Sequence, residues 1–175
     1  MEATSGIKTK TLAIMGLLIG LSFVGANIRI FGSIAFDSLP AFLAALMFGP
    51  VIGAVIGFIG HLLTAIMSGF PLSMPIHIVI AISMAITMLG FGYTNKLLKE
   101  TPIIRRLAIT GIVGLILNAP FSLAMSVVTT MLLAGREAGM GLWALLPVLT
   151  LAAAANIILS IVLYRALKKV GADFT

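Results

Sequence analysis

Three side chains that could take part in acid–base chemistry or polar recognition lie in one stretch of the chain, Phe36 to His77. They are Asp37, His61 and His77, and the two histidines are the only ones in the protein. Two histidines do not complete a metal site, and no carboxylate lies at metal-ligand spacing from either, so no bound metal is expected. The absence of Cys also excludes a thiolate site and a cysteine nucleophile.

No residue pattern in the chain predicts an enzyme. There is no Ser/His/Asp set at motif spacing, no HExxH motif and no pair of carboxylates within the apolar segments. A phosphate-binding loop is absent, so the chain does not hydrolyse ATP, and no cofactor is expected. The apolar segments also lack the acidic relay of proton-coupled carriers. An active transporter built from this chain alone would therefore lack an energy source.

Asp37 and the two histidines each have a structural as well as a functional interpretation. Asp37 and Arg29 could form a surface ion pair of little energetic weight, or Asp37 could accept hydrogen bonds from a ligand. His61 lies within an apolar run, where it either packs as a satisfied neutral side chain or faces a cavity. His77 begins the next run, where an interfacial histidine costs little. Three aromatic side chains near Asp37 could supply flat walls for a ring: Phe31, Phe36 and Phe70.

Polar residues recur at helical spacing in the last third of the chain. Asn118, Ser122 and Ser126 follow one another at steps of four, and Asn156 and Ser160 repeat that spacing in the last apolar run. Such stripes can form hydrogen bonds between helices, or they can line a binding pocket together with His61.

The composition predicts that these residues belong to a membrane protein. Of the 175 residues, 61% are hydrophobic and 9% are charged, which is more apolar surface than a soluble domain of this size can bury. The apolar runs do not alternate with polar residues as barrel strands do. We therefore predict an all-α integral membrane protein in which residues 1–175 form one domain. The net charge of +6 lies at the helix ends and does not indicate a nucleic acid partner.

Six transmembrane helices are predicted, and the second is short. At about 1.5 Å per residue it spans roughly half of the hydrocarbon core and leaves a recess above it. Proline at the first position of the third helix suits a helix start. The predicted helices run from about Thr9 to Ile30, Leu39 to Phe48, Pro50 to Ser68, Ile76 to Leu98, from the basic link Lys96–Arg106 to about Leu133, and from Leu142 to Lys169. The links between them include Phe31 to Ser38, Gly69 to Pro75 and Gly135 to Gly141.

The basic residues predict the orientation of these helices. Six spans put both termini on one side, and all Lys and Arg residues except Arg29 and Arg136 then share that side. Both termini are therefore expected in the cytoplasm. The first apolar run could also pass for a signal peptide, but the charge pattern requires that this helix be retained. The residues on the cytoplasmic side are Lys8, Lys10, Lys96, Lys99, Arg105, Arg106, Arg165, Lys168 and Lys169.

Small residues at helical spacing occur in two of the predicted helices. Gly16 and Gly20 in the first allow another helix to approach closely, either within this protein or in a separate membrane subunit. A longer ladder along the third helix and the turn before it predicts a close-packing seam. Its members are Ala45, Gly49, Gly53, Gly57, Gly60 and Thr64.

Several short motifs stand out in and around the stretch from Phe36 to His77. They are GSIAFDSLP at Gly32–Pro40, Gly49-Pro50, GHLLTA at Gly60–Ala65, GFPL at Gly69–Leu72 and PIH at Pro75–His77. Over its whole length, the chain resembles the substrate-binding (S) component of energy-coupling factor (ECF) vitamin transporters, and these motifs are similar to the α-ribazole transporter branch. α-Ribazole is a benzimidazole joined to a ribose.

The resemblance implies a mechanism and partners. An S component in the cell membrane of a prokaryote captures a vitamin or its precursor at the outer face, and associates with a membrane coupling subunit and two cytosolic ATPases. It is thought to topple in the membrane and so release the ligand inside. Family members dock through an Ala-x-x-x-Ala pattern in the first helix, which corresponds here to Gly16 and Gly20. The shared ATPase module would supply the energy source that this chain lacks.

The resemblance also implies where the ligand binds. The family pocket forms from the first outer link and the outer parts of helices 4, 5 and 6, under a lid formed by the loop before helix 4. The corresponding residues are Phe36, Asp37, His77, Asn118 and Ser122, with Phe70 and Met74 in the lid. His61 lies on helix 3, outside these elements, and joins the candidate set with Asn156 through the polar stripes. Two alternatives remain open: another vitamin, such as riboflavin or thiamine or their precursors, and a structural or assembly protein without a ligand.

Overall fold

The computed structural model describes residues 9–27, 29–30 and 34–171, and these residues are mostly helical. The α-helices are α1 (Thr9–Asn27), α2 (Leu39–Met47), α3 (Pro50–Met67), α4 (Met74–Leu97), α5 (Ile103–Ile116), α6 (Ser122–Ala134), α7 (Arg136–Gly141) and α8 (Leu146–Lys169). A π-helical turn, Leu117–Phe121, joins α5 to α6, and a 3-10 turn, Leu142–Leu145, joins α7 to α8. Two short strands, β1 (Arg29–Ile30) and β2 (Ile34–Ala35), pair in antiparallel fashion with Arg29 opposite Ala35.

Within the described residues, five helical segments are long and apolar enough to cross a membrane. Three are α1, α3 and α4, and the other two are the continuous segments Ile103–Ala134 and Arg136–Lys169. α2, with nine residues, is not among the five. The prediction of a helical, multi-pass membrane protein is confirmed at this level.

α2 forms the buried centre of the fold. Its residues Pro40 to Leu46 are all buried, and α1, α3, α4 and α8 pack around it. Phe42 contacts Phe91 of α4 edge to face, with 4.9 Å between the ring centroids. A helix that is apolar all round is stabilised when every side is covered. Because α2 is so short, its longer neighbours extend past its N-terminal end.

The glycines within α3 form a packing seam, as predicted, whereas Gly49 in the turn before α3 does not belong to it, because a Cβ there would meet no atom within 4 Å. A Cβ at Gly53 would lie 2.6 Å from the Cβ of Ala45 in α2, and one at Gly60 would lie 2.9 Å from the Cβ of Ser22 in α1. Distances under 3.0 Å are not tolerated between such atoms without a shift of the backbone. The glycines therefore allow α3 to contact α1 and α2 at a spacing that no larger side chain permits.

The first helix ends earlier than predicted. α1 stops at Asn27 rather than Ile30, and Arg29 and Ile30 lie in β1. The returning chain covers the end of α1, because the Phe36 N–H donates to the Gly25 carbonyl over 3.1 Å. A side chain at Gly25 would collide with the Phe36 carbonyl. Long-range pairing of the link thus replaces the last helical turn.

Two predicted links are also more helical than expected. The Gly135–Gly141 link contains α7, which begins after Gly135 at a φ of 91°. Gly139 lets α7 fold back onto α6, because a Cβ there would lie 2.8 Å from the Val127 carbonyl oxygen. α4 begins at Met74, two residues before the predicted start, because Pro75 occupies the first helical turn, where its missing N–H needs no partner.

Candidate functional site

A cavity of about 230 Å³ lies at the N-terminal end of α2, in the position of the recess that the short helix predicted. Residues from the link before α2, from α3, α4, α6 and α8, from the loop before α4 and from both irregular turns surround it. Its polar lining residues are Asp37, Ser38, His61, Asn118, Ser122, Ser126 and Asn156. Its apolar lining residues are Leu72, Ile80, Met84, Leu123, Leu142, Leu145, Leu149, Ala152 and Ala153.

A chain of three polar side chains connects the cavity wall to the protein interior. The His61 Nδ1 atom lies 3.9 Å from the Asp37 Oδ2 atom, and the His61 Nε2 atom lies 3.3 Å from the His77 Nδ1 atom. The two imidazole rings are nearly parallel, with centroids 5.5 Å apart. Asp37 and His61 line the cavity, whereas His77 lies behind His61 and is buried.

The burial of His77 indicates which atoms donate and which accept along this series of three side chains. Its Nε2 atom is buried and has no hydrogen-bond partner among the described residues. A buried N–H without a partner is rarer and more costly than an unpaired acceptor, so the proton of neutral His77 belongs on Nδ1. That N–H donates to His61 Nε2, which leaves the proton of His61 on Nδ1. Both histidines therefore orient an N–H toward Asp37, where the chain ends on an acceptor.

Asp37 is a proton-sensitive acceptor. Burial raises the pKa of its carboxyl from 3.8 to about 6, because removal from water disfavours the charged form. The backbone N–H groups of Ser38 and Asp37 bond to the carboxylate and offset part of this rise in pKa. The side chain is 22% exposed, so a ligand in the cavity can reach it.

Asn118 reaches the cavity from the π-helical turn. Pro120 lies within this turn, and because proline has no N–H it cannot complete an α-helical ladder. Single π-helical turns of this kind occur often at functional sites. The Asn118 amide makes no hydrogen bond to any described residue, and both its donor and its acceptor are therefore available to a ligand.

Ser122 and Ser126 continue the same face of the helix into the cavity lining. The Ser126 hydroxyl donates to the Ser122 carbonyl over 2.9 Å, so its proton is already used within α6. Thr129, the next polar residue, is not among the lining residues and bonds to the Met125 carbonyl. The predicted stripe thus reaches the cavity over its first two turns.

Asn156 holds α2 in place. Its Oδ1 atom accepts the Leu39 N–H over 2.9 Å, and its Nδ2 atom donates to the Ala152 carbonyl over 2.8 Å. The residue is 1% exposed. Although it borders the cavity, both ends of its amide are engaged by the protein, and its evident role is to fix the start of α2 beneath the site.

The loop between α3 and α4 closes one side of the site. Leu72 lines the cavity, and the Phe70 ring packs edge to face on His77 with 5.8 Å between centroids. Phe70 and Ser73 have φ values of 50° and 86°, which side chains other than glycine rarely adopt. Met74 is 58% exposed and is not a lining residue.

The aromatic side chains that were expected to flank the ligand are not among the described residues that line the cavity. Phe36 and Phe70 are absent from the lining, and Phe31 falls outside the described residues. The Arg29 side chain is not described either, so its pairing with Asp37 stays a prediction. Ile80 and Met84 form part of the wall instead. They lie three and seven residues after His77, a spacing that places them on the same face of α4 and that could have predicted their position.

Gly16 and Gly20 of α1 lie on an exposed face. A Cβ at either position would meet no atom within 4 Å. The described part of the protein therefore does not use this pair for its own packing. A second helix from another molecule could approach there.

The described residues include no group of three His, Cys, Asp or Glu side chains able to hold a metal ion. Asp37, His61 and His77 do meet in space, although the spacing along the chain gave no sign of it. They form a line of successive contacts rather than converging on one point.

Comparison with known proteins identifies one family. The family model described as ECF transporter, substrate-specific component, matches residues 10–167. The matched range begins in α1, ends in α8 and includes every residue that lines the cavity. No curated protein and no solved structure matches the chain.

Proposed function

The chain belongs to the family of ECF transporter substrate-specific components, and we propose that its cavity captures a vitamin or vitamin precursor, with α-ribazole as the best candidate. Members of this family are transporter subunits rather than enzymes, and they work with an ECF transporter module that imports small-molecule substrates. The finer proposal concerns the ligand and the residues that hold it.

The observation that carries the proposal is the combination of polar groups at the cavity wall. Asp37 offers a carboxylate, His61 offers an N–H beside it, and Asn118 offers an uncommitted amide. Apolar side chains such as Met84 and Leu123 cover much of the remaining wall. This pattern suits a flat heterocycle carrying a polyhydroxylated group, because the ring is buried among apolar atoms while the hydroxyls find acceptors. In α-ribazole, the ribose hydroxyls would bond to Asp37 and Asn118.

We further propose that the chain crosses the membrane six times, with α2 as a short pass and both termini in the cytoplasm of a prokaryotic cell. The distribution of Lys and Arg supports this orientation, although Lys8 lies outside the described residues. The cavity, at the N-terminal end of α2, would then open toward the outer face. A ligand would enter from outside and leave inside after the subunit has engaged its partners.

The proposed partners are a membrane coupling subunit and two cytosolic ATPases. The exposed small face at Gly16 and Gly20 supports a contact between α1 and the coupling subunit. These glycines stand where family members carry alanines, and they keep the close approach that small residues allow.

The ligand proposal is tested on protein purified in detergent. Small molecules released by denaturation are identified by mass spectrometry, and α-ribazole, riboflavin and thiamine are screened by thermal shift, because a ligand of the folded state raises the unfolding midpoint. A stoichiometric heterocycle supports vitamin capture and names the branch, whereas recovery of lipid alone favours a structural or assembly role.

The site is tested with two variants and a control. Asp37→Ala and Asn118→Ala should each weaken binding of the identified ligand about tenfold or more, since each removes hydrogen bonds in a buried site. Thr129→Ala, on the same helical stripe but outside the cavity, should leave the affinity unchanged. Unaltered affinity in both cavity variants would refute the assignment of this site.

A further inference from the structure

The charges around the cavity are one-sided. Asp37 is a carboxylate, and none of the described residues that line the cavity is Lys or Arg. Sites that bind phosphate or carboxylate groups commonly contain Arg or Lys, or the free N–H groups of a helix N-terminus. The described wall of this cavity supplies no cationic side chain of that kind.

The N-terminus of α2, which lies at the cavity, is already engaged by the protein itself. α2 begins at Leu39, whose N–H donates to the Asn156 Oδ1 atom. The Ser38 N–H bonds to the Asp37 carboxylate. These two N–H groups at the positive end of α2 therefore bond to the protein's own oxygen atoms and are not free to bind an anionic ligand.

His61 does not reverse this charge balance. It is the only imidazole in the lining, and its Nδ1 atom faces the Asp37 Oδ2 atom over 3.9 Å. A protonated His61 would place one positive charge beside the single negative charge of Asp37, so the pair would be neutral and not cationic. Asn118 and the serine hydroxyls are neutral and accept as well as donate hydrogen bonds.

We propose that this cavity selects ligands that are uncharged or cationic and that donate hydrogen bonds to Asp37, and that it rejects analogues carrying a phosphate or carboxylate group. The inference rests on the proposed function, since it takes the cavity as the vitamin-binding site. It narrows the substrate class from vitamins in general to those without a negative charge. An anion placed here would lose its hydration and face a carboxylate, and no Lys or Arg side chain among the described lining residues would compensate it.

The test uses matched pairs in which the second member carries one added phosphate group. The full-length protein in detergent is titrated with α-ribazole, riboflavin and thiamine, and with the 5′-phosphate or monophosphate of each. For the pair whose parent compound binds, the phosphorylated member should have a Kd at least about a hundredfold higher. The reason is that bringing two negative charges together in a binding site costs more binding free energy than a tenfold change in Kd represents.

Two variants test whether Asp37 causes the preference for the unphosphorylated ligand. Asp37→Asn removes the negative charge with little change in size, and it should reduce the ratio of parent to phosphate affinity by about tenfold or more. Glu137→Gln is the matched control, because Glu137 is an exposed acid on α7 outside the cavity. It should leave the ratio unchanged.

The outcomes separate this inference from the function on which it rests. A phosphorylated member that binds as tightly as its parent, or more tightly, overturns the charge selection and leaves vitamin capture intact. A ratio that Asp37→Asn does not alter overturns the role of this carboxylate. Failure of all six compounds to bind, together with the release of lipid alone from the purified protein, overturns both the proposed function and the inference.

Discussion

The strongest test of the site is the pH dependence of ligand affinity in the Asp37→Asn variant. A ligand that donates two hydrogen bonds to Asp37 binds the ionised form best, because both carboxylate oxygens accept, whereas the protonated carboxyl carries a donor on one of them. Burial raises the pKa of Asp37 to about 6, so the carboxyl is almost wholly ionised at pH 7.5 and about one tenth ionised at pH 5. Since apparent affinity scales with the competent fraction, wild-type protein should bind about tenfold more weakly at pH 5. The Asp37→Asn variant should bind the ligand with the same affinity at pH 7.5 and at pH 5.

The same proton has the opposite effect on the stability of the protein without ligand. The pKa of Asp37 is higher in the folded state than its ordinary value of 3.8, so the folded state binds more protons between about pH 4 and pH 6. The contribution of Asp37 to stability is therefore greatest below this window and falls as the pH rises through it, by about 3 kcal/mol from the size of the shift. Asp37→Asn should remove this contribution. Acidification should thus raise the stability of the empty wild-type protein relative to that of Asp37→Asn, while it weakens ligand binding by the wild type.

Fluorescence of the single tryptophan provides the binding assay. Trp143 is 37% exposed and lies in the turn that contributes Leu142 and Leu145 to the cavity wall. Comparing wild type with Asp37→Asn at each pH cancels any titration of the ligand itself. Two further titratable groups face or adjoin Asp37, namely His61 of α3 and His77 of α4. If the pH dependence persists in Asp37→Asn and disappears in His61→Gln, the imidazole rather than the carboxylate governs binding, and the reasoning fails.

Three further predictions follow from the contacts around the site. Asn156→Ala should lower the free energy of unfolding by about 2–4 kcal/mol, because it unpairs the part-buried Leu39 N–H and leaves a cavity. Ser160→Ala, which loses one bond within its own helix, should cost about 1 kcal/mol, and equal unfolding midpoints for the two variants would contradict the bridging role of Asn156. Gly20→Leu should leave the affinity for the ligand in detergent unchanged, but it should reduce both co-purification with the coupling subunit and vitamin uptake about tenfold or more. Unchanged uptake would exclude this face of α1 from docking. His77→Phe should weaken ligand binding about threefold to tenfold by removing the donor to His61, and His77→Asn should restore part of the loss; a failure of that rescue would show that His77 only fills space.

Much of the fold was predictable because it depends on patterns that are local in the sequence. The apolar runs predict α1, α3 and α4 closely, and the Gly49-Pro50 turn marks the end of α2. The seam glycines could be recognised because their spacing is that of one helix face. The first two turns of the polar stripe reached the cavity for the same reason, since Asn118 and Ser122 lie four residues apart on one helix.

What the sequence did not predict depends on contacts between distant residues. The end of α1 is set by pairing in a hairpin and by the contact from Phe36 to Gly25, which no local propensity encodes. Asn156 was a candidate ligand residue from its spacing alone, but its amide bonds to Leu39, which is 117 residues away. Helical spacing indicates which face a polar residue occupies, and it does not indicate whether a protein group will already occupy that residue's hydrogen bonds.

The position of His61 shows how the short second helix determines the site. His61 lies on α3, outside the elements expected to form the pocket, yet it lines the cavity. Because α2 begins only at Leu39, the space before its N-terminal end is open to other elements, and His61 of α3 faces it together with Asp37 from the link. His61 lies in the second half of α3, which leads into the loop that carries Phe70, whose ring packs on His77. The imidazole pair therefore connects the carboxylate in the cavity to the base of that loop. The loop itself holds an uncommon backbone conformation, because Phe70 and Ser73 both have positive φ values, which cost about 1–3 kcal/mol each for residues other than glycine.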